Sequence, residues 1–528
     1  MMKIGLAYLK GSVPGFEDFG NLPTDIVKSN GLVNGIKAHK ALDALIIPGG
    51  SLLESDSISP ELAIEIKKIA KDGKPVIGIC SGFQAIANET NTGRKSPCPI
   101  IKKGIGLLNV NFSPFISNDR VEAFTTNDSF FTNNITKITG FHSHTYGKID
   151  FNSTTPISTT DTPTDTHTNI PTDIPIIYSK LKRANYKDTD DSVVSGVRND
   201  DGNVIGTMIH GILDENPQIV DNVLDFIDAD EIAKKDIFER NNVLKIAIRS
   251  ELGIDSGIKL LNSNSNFNLN FNSNSQNNIG QIPPVLMIAS NGSDSGKTFI
   301  TTGISGALTK RGMKIAILKV GPDVRDTIPS LYLTKGKMED FASIKIGHLG
   351  WMEIKDVLDK LRDSDYDFVL IEGVMSVFTG LLNEKIPYSG AEIAISSNIP
   401  MLLVTGVNKG GIESAAIDIV SHANKLNEMG IAINGIILNK VYDMEIFNEA
   451  SNYIKNKTNI DEIIPIPKIS LDERSTIPEI EINLEDFSLP ALNTIEKYLD
   501  LDKIANMAAI PEFNSYLDYE KIKKYFLN

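Results

Sequence analysis

Two cysteines, Cys80 and Cys98, are all that 528 residues contain. That is too few for a disulfide framework, and a reducing compartment is expected. Long apolar runs are missing as well. None approaches the roughly 18 residues of a membrane span, so no membrane association is expected. The opening MMKIGLAYLKGSVPG has only a short apolar run that leads into an acidic, strand-like stretch, unlike a signal peptide. Positive charge is in deficit, with a net charge of −15 and a pI near 5.1. This argues against nucleic acid or an anionic membrane as the main partner, but leaves room for a local basic pocket that binds phosphates. Internal repeats are absent. What remains is a cytoplasmic-type α/β chain, long enough for roughly two to four domains.

Against that background SNGSDSGKT, Ser290 to Thr298, stands out. The apolar run Val285–Ala289 before it reads as a buried strand, and FITTGISGALTKRG after it as a helix ending near Gly312. A strand, a small-residue loop with Gly-Lys-Thr and a helix make a phosphate-binding loop. The amides of Asn291, Gly292, Ser293, Asp294, Ser295 and Gly296 would face the anion, as would the helix N-terminus. Lys297 would reach the terminal phosphates and Thr298 would ligate magnesium. The usual glycine four residues before Gly-Lys is Asn291 here, with Gly292 beside it. The runs Lys314–Asp323, Asp367–Gly373, Pro400–Val407 and Ile433–Val441 read as further strands, with a helix from about Ile412 to Met429 between the last two. A doubly wound sheet binds ligands beyond the carboxyl ends of its strands, which is where Lys297, Asp323 and Glu372 fall. A magnesium–nucleotide site needs hard oxygen ligands, so Asp323 and Glu372 join Thr298 as metal candidates. Lys319 and Asp326 flank the same corner. For any single acid here the plain alternative is a solvated loop residue or a helix cap.

The first half of the chain also alternates strands and helices, which implies a parallel, covered sheet. Strands are expected at Lys3–Leu9, at ALDALIIPGG ending in Gly49-Gly50, and at Pro75–Ile79, with a helix from about Pro60 to Asp72. Cys80 sits in Gly78-Ile79-Cys80-Ser81-Gly82, a tight strand-to-helix turn. Small neighbours permit a sharp bend, and the helix N-terminus that follows favours a thiolate. A buried structural cysteine is the usual alternative; Cys98, in a Pro-flanked loop, is assigned to it. His210, in GTMIHGILDEN, is a candidate base, although its pairing with Cys80 is a spatial claim. Residues 151–175, rich in Thr, Pro and Asp, read as a disordered insertion. SVVSGVRNDDGNVIGTMIHGIL reads as two strands around an Asp-Asp-Gly turn. A helical segment from about Pro217 to Leu252 closes this half. The Asn/Ser-rich run Asn262–Asn278 reads as a tether, placing a first domain at 1–260, a linker at 261–282 and a second domain at 283–528.

KVGPDVRD (Lys319–Asp326) and IEGVMSVFTG (Ile371–Gly380) resemble segments of the cobyrinic acid a,c-diamide synthases. GAEIAISSNIPMLLV, GGIESAA and INGIILNKV are similar to the stretches that follow in that family. The phosphate loop looks closer to the S-D-A-G-K-S form of cobyric acid synthase, and YLDLDKIANMA (Tyr498–Ala508) resembles the helix that ends this domain. The resemblance covers roughly residues 283–510 and implies ATP-dependent amide synthesis through an acyl phosphate, with Asp323, Asp326 and Glu372 lining the γ-phosphate and the substrate carboxylate. The first half resembles the class I glutamine amidotransferases of the same enzymes, through IIPGGS, GICSGFQ, GTMIHGIL and GFHSHTYG, the last with His144 on the family's histidine. This implies that Cys80 attacks glutamine, His210 moves the proton, and the amides near Gly50 and Ser81 stabilise the oxyanion. The third triad position holds Ile212, leaving Asp214 and Glu215 as candidate substitutes. Three departures are visible. The family usually has the ATP domain first, its G-P-D-Y tyrosine is Val324 here, and its R-H-L-G-L segment is missing, with only DERSTIP (Asp472–Pro478) in that region. The expectation is a glutamine- and ATP-dependent amidoligase acting on a tetrapyrrole carboxylate, with ATP and Mg²⁺ as cofactors and a homodimer as candidate assembly. The alternatives are the same chemistry on another carboxylic acid, or a nucleotide-binding protein of this fold without catalysis.

Overall fold

Strand-forming runs in this chain are mostly apolar on both faces, as strands covered on both sides must be. The computed structural model describes residues 1–7, 17–50, 58–94, 96–126, 128–151, 173–255, 280–408, 410–469 and 484–527, of which 248–255 are described in backbone only. Its contacts define two compact units, one within Met1–Arg249 and one within Ser250–Glu473 and Leu484–Asn528. The tether at 262–278, the core of the 151–175 insertion and the DERSTIP stretch lie outside the described residues.

In the first unit five strands run parallel, in the order Val204–Thr207, Val76–Ile79, Ala44–Ile47, Ile4–Ala7 and Asp25–Val27. The expected covered parallel sheet is this part alone. From Val204–Thr207 the sheet continues antiparallel through Ser192–Arg198, Ile174–Lys180, Arg120–Thr125 and Lys137–Phe141. The switch is made by the hairpin around Asp200-Asp201-Gly202, as the sequence suggests. Arg120–Thr125 alternates buried and open positions, the pattern of a strand with one face toward water. A second sheet of Lys148–Phe151, Val110–Ser113, Glu89–Asn91 and Ile101–Lys103 has no counterpart in the sequence reading. Both ends of the 151–175 stretch are ordered: Phe151 ends one strand, and Ile174 begins another.

The helix expected at Pro60 spans Pro60–Lys71. Ser59 caps it by accepting from the Leu62 amide, Pro60 occupies its first turn, and Leu62, Ile66 and Ile69 face the core. The helix after Cys80, Ser81–Ile86, packs through Phe83, which is fully buried and meets Phe112 edge-on at 4.8 Å. Truncating such a ring typically costs about 3–5 kcal/mol. The helical region expected from Pro217 is two helices, Pro217–Phe226 and Glu231–Asp255, broken near Asp228, whose φ is positive.

The second unit holds a seven-stranded, wholly parallel sheet in the order Ser343–Ile344, Ile315–Val320, Phe368–Glu372, Val285–Ser290, Met401–Gly406, Ile433–Val441 and Ile463–Pro467. Val285–Ser290 is central, and the chain leaves it for strands on either side, the topology that opens a crevice at the carboxyl ends. The helix Lys297–Lys310 starts directly after the phosphate loop. Its Gly303 lies against Ala491 and Ile495 of the helix Leu484–Tyr498, where an added Cβ would sit 2.2 Å from the Ile495 side chain. Among the described residues no helix is long and apolar enough to cross a membrane.

Candidate active sites

Cys80 ends the strand Val76–Ile79 with φ 49° and ψ −109°, a conformation that a side-chain-bearing residue adopts only under constraint. Its amide donates to the Thr207 carbonyl at 2.7 Å, and its carbonyl accepts from the Gln84 amide. A Cβ on Gly82 would lie 2.2 Å from the Ile47 carbonyl oxygen, so only glycine lets this turn close against the neighbouring strand. The bend thus puts the sulfur at the carboxyl end of the parallel strands. The Ala44–Ile47 strand delivers Gly49 and Gly50 to the same end. A Cβ on Gly49 would sit 2.6 Å from His210 Cε1 and 3.5 Å from Cys80 Cβ, so Gly49 leaves the space in which cysteine and histidine meet. Ser81 opens the helix, where amides have no intrahelical partner. Its hydroxyl is buried with no hydrogen-bond partner among the described residues.

His210 follows the strand Val204–Thr207, pairs through its backbone with Phe141, and stacks on the Phe141 ring at 5.3 Å. Its ring is hydrogen-bonded to Cys80. The other partner is Glu17, which sequence reading missed. Glu17 Oε1 lies 2.6 Å from His210 Nδ1, and Oε2 accepts from the Gly211 amide at 2.9 Å. Burial alone would favour the neutral imidazole, but the neighbouring Cys80 and Glu17 outweigh it and push His210 up to about 10. The acids expected as substitutes face elsewhere. Gly211, at φ 68°, turns the chain so that Asp214 accepts from the amides of Asp18 and Gly20, while Glu215 grips Arg120. Only the fold brings Glu17 to the site: it stands 193 residues from His210 in a stretch without a motif.

His144 is buried, with Nδ1 3.1 Å from the Phe115 carbonyl and its ring 4.7 Å from that of His142. His142 is deeper, with Ser117, Ser179 and Ser195 hydroxyls at 3.0, 3.3 and 3.4 Å. Burial first, and then the neighbouring histidines, hold it well below the ordinary histidine range. The pair is a buried, hydrogen-bonded core element.

In the second unit the loop 291–296 bends over the end of the central strand, with Asp294 and Gly296 both at positive φ. Asn439 and Lys440, at the end of the strand Ile433–Val441, support it from below. Asn439 donates to the Ser295 carbonyl at 2.9 Å and Lys440 to the Asp294 carbonyl at 2.8 Å. A Cβ on Gly296 would collide with Asn439 at 2.1 Å. The sequence signal for this pair is an Asn-Lys at the end of the strand Ile433–Val441. Lys297 is buried and donates to Ser290 Oγ at 2.8 Å and to the Met375 carbonyl at 2.7 Å. Burial and the Lys319 charge push it down to about 8.

Thr298 Oγ1 donates to Glu372 Oε1 at 2.8 Å, and Lys319 Nζ reaches the same oxygen at 2.9 Å and Asp326 at 2.6 Å. Lys319, Asp326, Thr298 and Glu372 therefore form one cluster. Burial opposes the Lys319 charge, but Glu372 and Asp326 outweigh it and raise the group well above an ordinary lysine. Burial holds Glu372 above the usual carboxylate range. Asp323 is bound by Arg325 through both oxygens, at 2.9 and 3.1 Å. Burial works against its charge, but Arg325 wins and keeps the carboxyl low. Thr298 and Glu372 suit a magnesium ion: two hard oxygens converge, and Glu372 Oε2 is buried without a hydrogen-bond partner among the described residues. Asp323, committed to Arg325, suits it less. No group of three or more His, Cys, Asp or Glu side chains able to hold a metal occurs among the described residues, so an ion here would complete its shell from phosphate and water.

Comparison with known proteins follows this division. The chain is 28% identical over 235 residues to a cobyrinate a,c-diamide synthase of Streptococcus sanguinis, an alignment covering 43% of this chain and 50% of that protein. It is 30% identical over 237 residues to that of Dehalococcoides mccartyi, covering 43% and 48%. For that of Saccharolobus solfataricus the figures are 31% over 232 residues, 42% and 50%. The chain spans about half the length of the curated relatives it matches. Residues 16–218 match the model of the CobB/CobQ-like glutamine amidotransferase domain, and residues 286–482, after them in the chain, match that of the CobQ/CobB/MinD/ParA nucleotide binding domain.

Proposed function

We propose that this protein makes amides from carboxylates at the expense of ATP, with ammonia drawn from glutamine by its first unit. The carrying observation is a buried Cys80–His210–Glu17 set in one unit and a Lys297–Thr298–Glu372 cluster in the other, on a single chain. Cys80 attacks the glutamine side-chain carbonyl. His210 gives its proton to the departing ammonia and then takes one from the water that releases glutamate. Glu17 holds the ring in the tautomer this requires. The amides near Gly50 and Ser81 are the proposed oxyanion donors.

In the second unit the substrate carboxylate takes the γ-phosphoryl group of ATP, ADP leaves, and ammonia then displaces phosphate from the acyl phosphate. Such transfer needs alignment and charge neutralisation. Lys297 and Lys319 supply positive charge, and Asn291 to Gly296 supply loop amides. A magnesium ion bound with ATP, held by Thr298 and Glu372, would neutralise phosphate charge. Asp326 and Asp323 are the proposed lining on the carboxylate side. The names of the relatives support a tetrapyrrole such as cobyrinate as the acid. Val324, where that family has tyrosine, and the Arg325 clamp on Asp323 favour keeping a different carboxylic acid as a second reading. A reducing cytoplasm suits two free cysteines.

The test is mass spectrometry of products after incubation with ATP, glutamine and a panel of tetrapyrrole and other carboxylic acids, alongside ADP release. A mass decrease of about 1 Da per carboxylate converted, with ADP formed in step, supports the reading. ATP bound without turnover across the panel would leave only a nucleotide-binding protein.

A further inference from the structure

The turn that carries Glu17 is conformationally expensive. Phe19, Gly20 and Asn21 follow one another at φ 53°, 62° and 59°, all left-handed. For the two residues with side chains this costs on the order of 1–2 kcal/mol each, and such turns persist only where their surroundings over-determine them. Three contacts do so here. Phe19 is buried. Lys245 pairs with Asp18 at 3.0 Å. The third comes from the far side of the base: Asp214 Oδ1 accepts from the Gly20 amide at 2.7 Å and Oδ2 from the Asp18 amide at 2.9 Å. Asp214 lies in the short helix Ile212–Glu215, one turn past His210. The same few residues that hold His210 therefore also hold the segment that supplies its acid. Glu17 closes the loop by bonding His210 and Gly211.

We infer that Asp214 is a positioning residue for glutamine hydrolysis: it pins the strained turn 18–21 and thereby keeps Glu17 on His210. The inference rests on the reading of Cys80 and His210 as a glutaminase pair. Replacing it by alanine removes the acceptor of the Asp18 and Gly20 amides and leaves no charge behind. The turn would relax and Glu17 would lose its alignment, a displacement of the kind that costs about 10–100-fold in rate.

The experiment measures glutamine hydrolysis by the full chain and its Asp214→Ala, Asp214→Asn, Glu17→Gln and Glu17→Gln/Asp214→Ala variants, with thermal unfolding of each. Asp214→Ala is expected to lower kcat by about 10-fold or more and to change KM for glutamine by less than about threefold. In the Glu17→Gln background the same change is expected to add less than about twofold, because the residue acts through Glu17. If Asp214→Ala does not fold, Asp214→Asn carries the same comparison. Two independent, multiplying losses would overturn the inference, as would a full kcat in folded Asp214→Ala. Hydrolysis that needs Cys80 but ignores Asp214 removes this inference alone. No hydrolysis by the unmodified chain removes the glutaminase reading with it.

Discussion

The candidate groups of the first unit are sealed and already joined, whereas the second unit combines two half-open carboxylates with a buried lysine that is held by groups a phosphate would have to displace. Cys80, His210 and Glu17 are each at most 4% exposed, and Glu17 and His210 are in direct contact. In the second unit Asp323 and Asp326 have side chains 40% and 38% exposed, and Lys297 is spent on a hydroxyl and a backbone carbonyl. A phosphate would have to take Lys297 from Met375 and Ser290. The difference matches two chemistries. Thiol attack on a neutral amide needs a nucleophile and base aligned in advance. Phosphoryl transfer needs a charged cradle that the substrate itself completes.

The sharpest way to break the comparison is at its preassembled end. Cys80→Ser should lower glutamine hydrolysis by about 10⁴-fold or more, the scale of losing a covalent nucleophile. Amide formation from free ammonia, followed by mass spectrometry, should survive. Loss of both would mean that the two units are not separable in function. Next in size, Glu17→Gln should cost about 10³-fold in the kcat of glutamine hydrolysis, since an amide in place of the carboxylate presents the wrong tautomer to His210. A loss under about tenfold would make Glu17 a packing residue.

These two residues also divide what the sequence could tell. Cys80 was legible because its constraints are contiguous: strand, glycine, cysteine, glycine, helix. Glu17 was not, because it reaches His210 across 193 positions and no local pattern marks it. Asp214 and Glu215 looked better because they adjoin His210, yet the left-handed Gly211 aims both away. The second unit read more fully for the same reason. Its sheet is wholly parallel, so candidate side chains fall at or beyond strand ends that the apolar runs announce, and Lys297, Asp323 and Glu372 are assigned by that rule. The small second sheet and the outer antiparallel strands of the first unit are short segments of mixed polar and apolar residues, and such patterns are weak without their partners.

The open end of the comparison is tested by Lys297→Met. It should weaken nucleotide-dependent turnover by about 10²–10³-fold, the range for removing one preorganised charged donor from a transferring group. Nucleotide affinity, read by calorimetry, should fall as well. The glutamine hydrolysis proposed for the first unit should hold its kcat.

The smallest effect is the most specific to the parked lysine. With no phosphate present, burial and the Lys319 charge place Lys297 near 8. The charged form is the one that attracts phosphate. Below about pH 8 the ammonium is already present and affinity should be flat in this group. Above it the free protein has lost the proton, and binding must take one up. The apparent Kd for nucleotide should then rise by about tenfold per pH unit, until the pH reaches the higher pKa that the lysine acquires beside phosphate. Calorimetry in buffers of different ionisation heat should register the uptake of up to about one proton per nucleotide in that window. Lys297→Met should bind more weakly throughout and lose both the slope and the proton uptake. A flat affinity from pH 7 to 10 in the unmodified protein would mean that Lys297 keeps its proton despite burial, and that the second unit is as preset as the first.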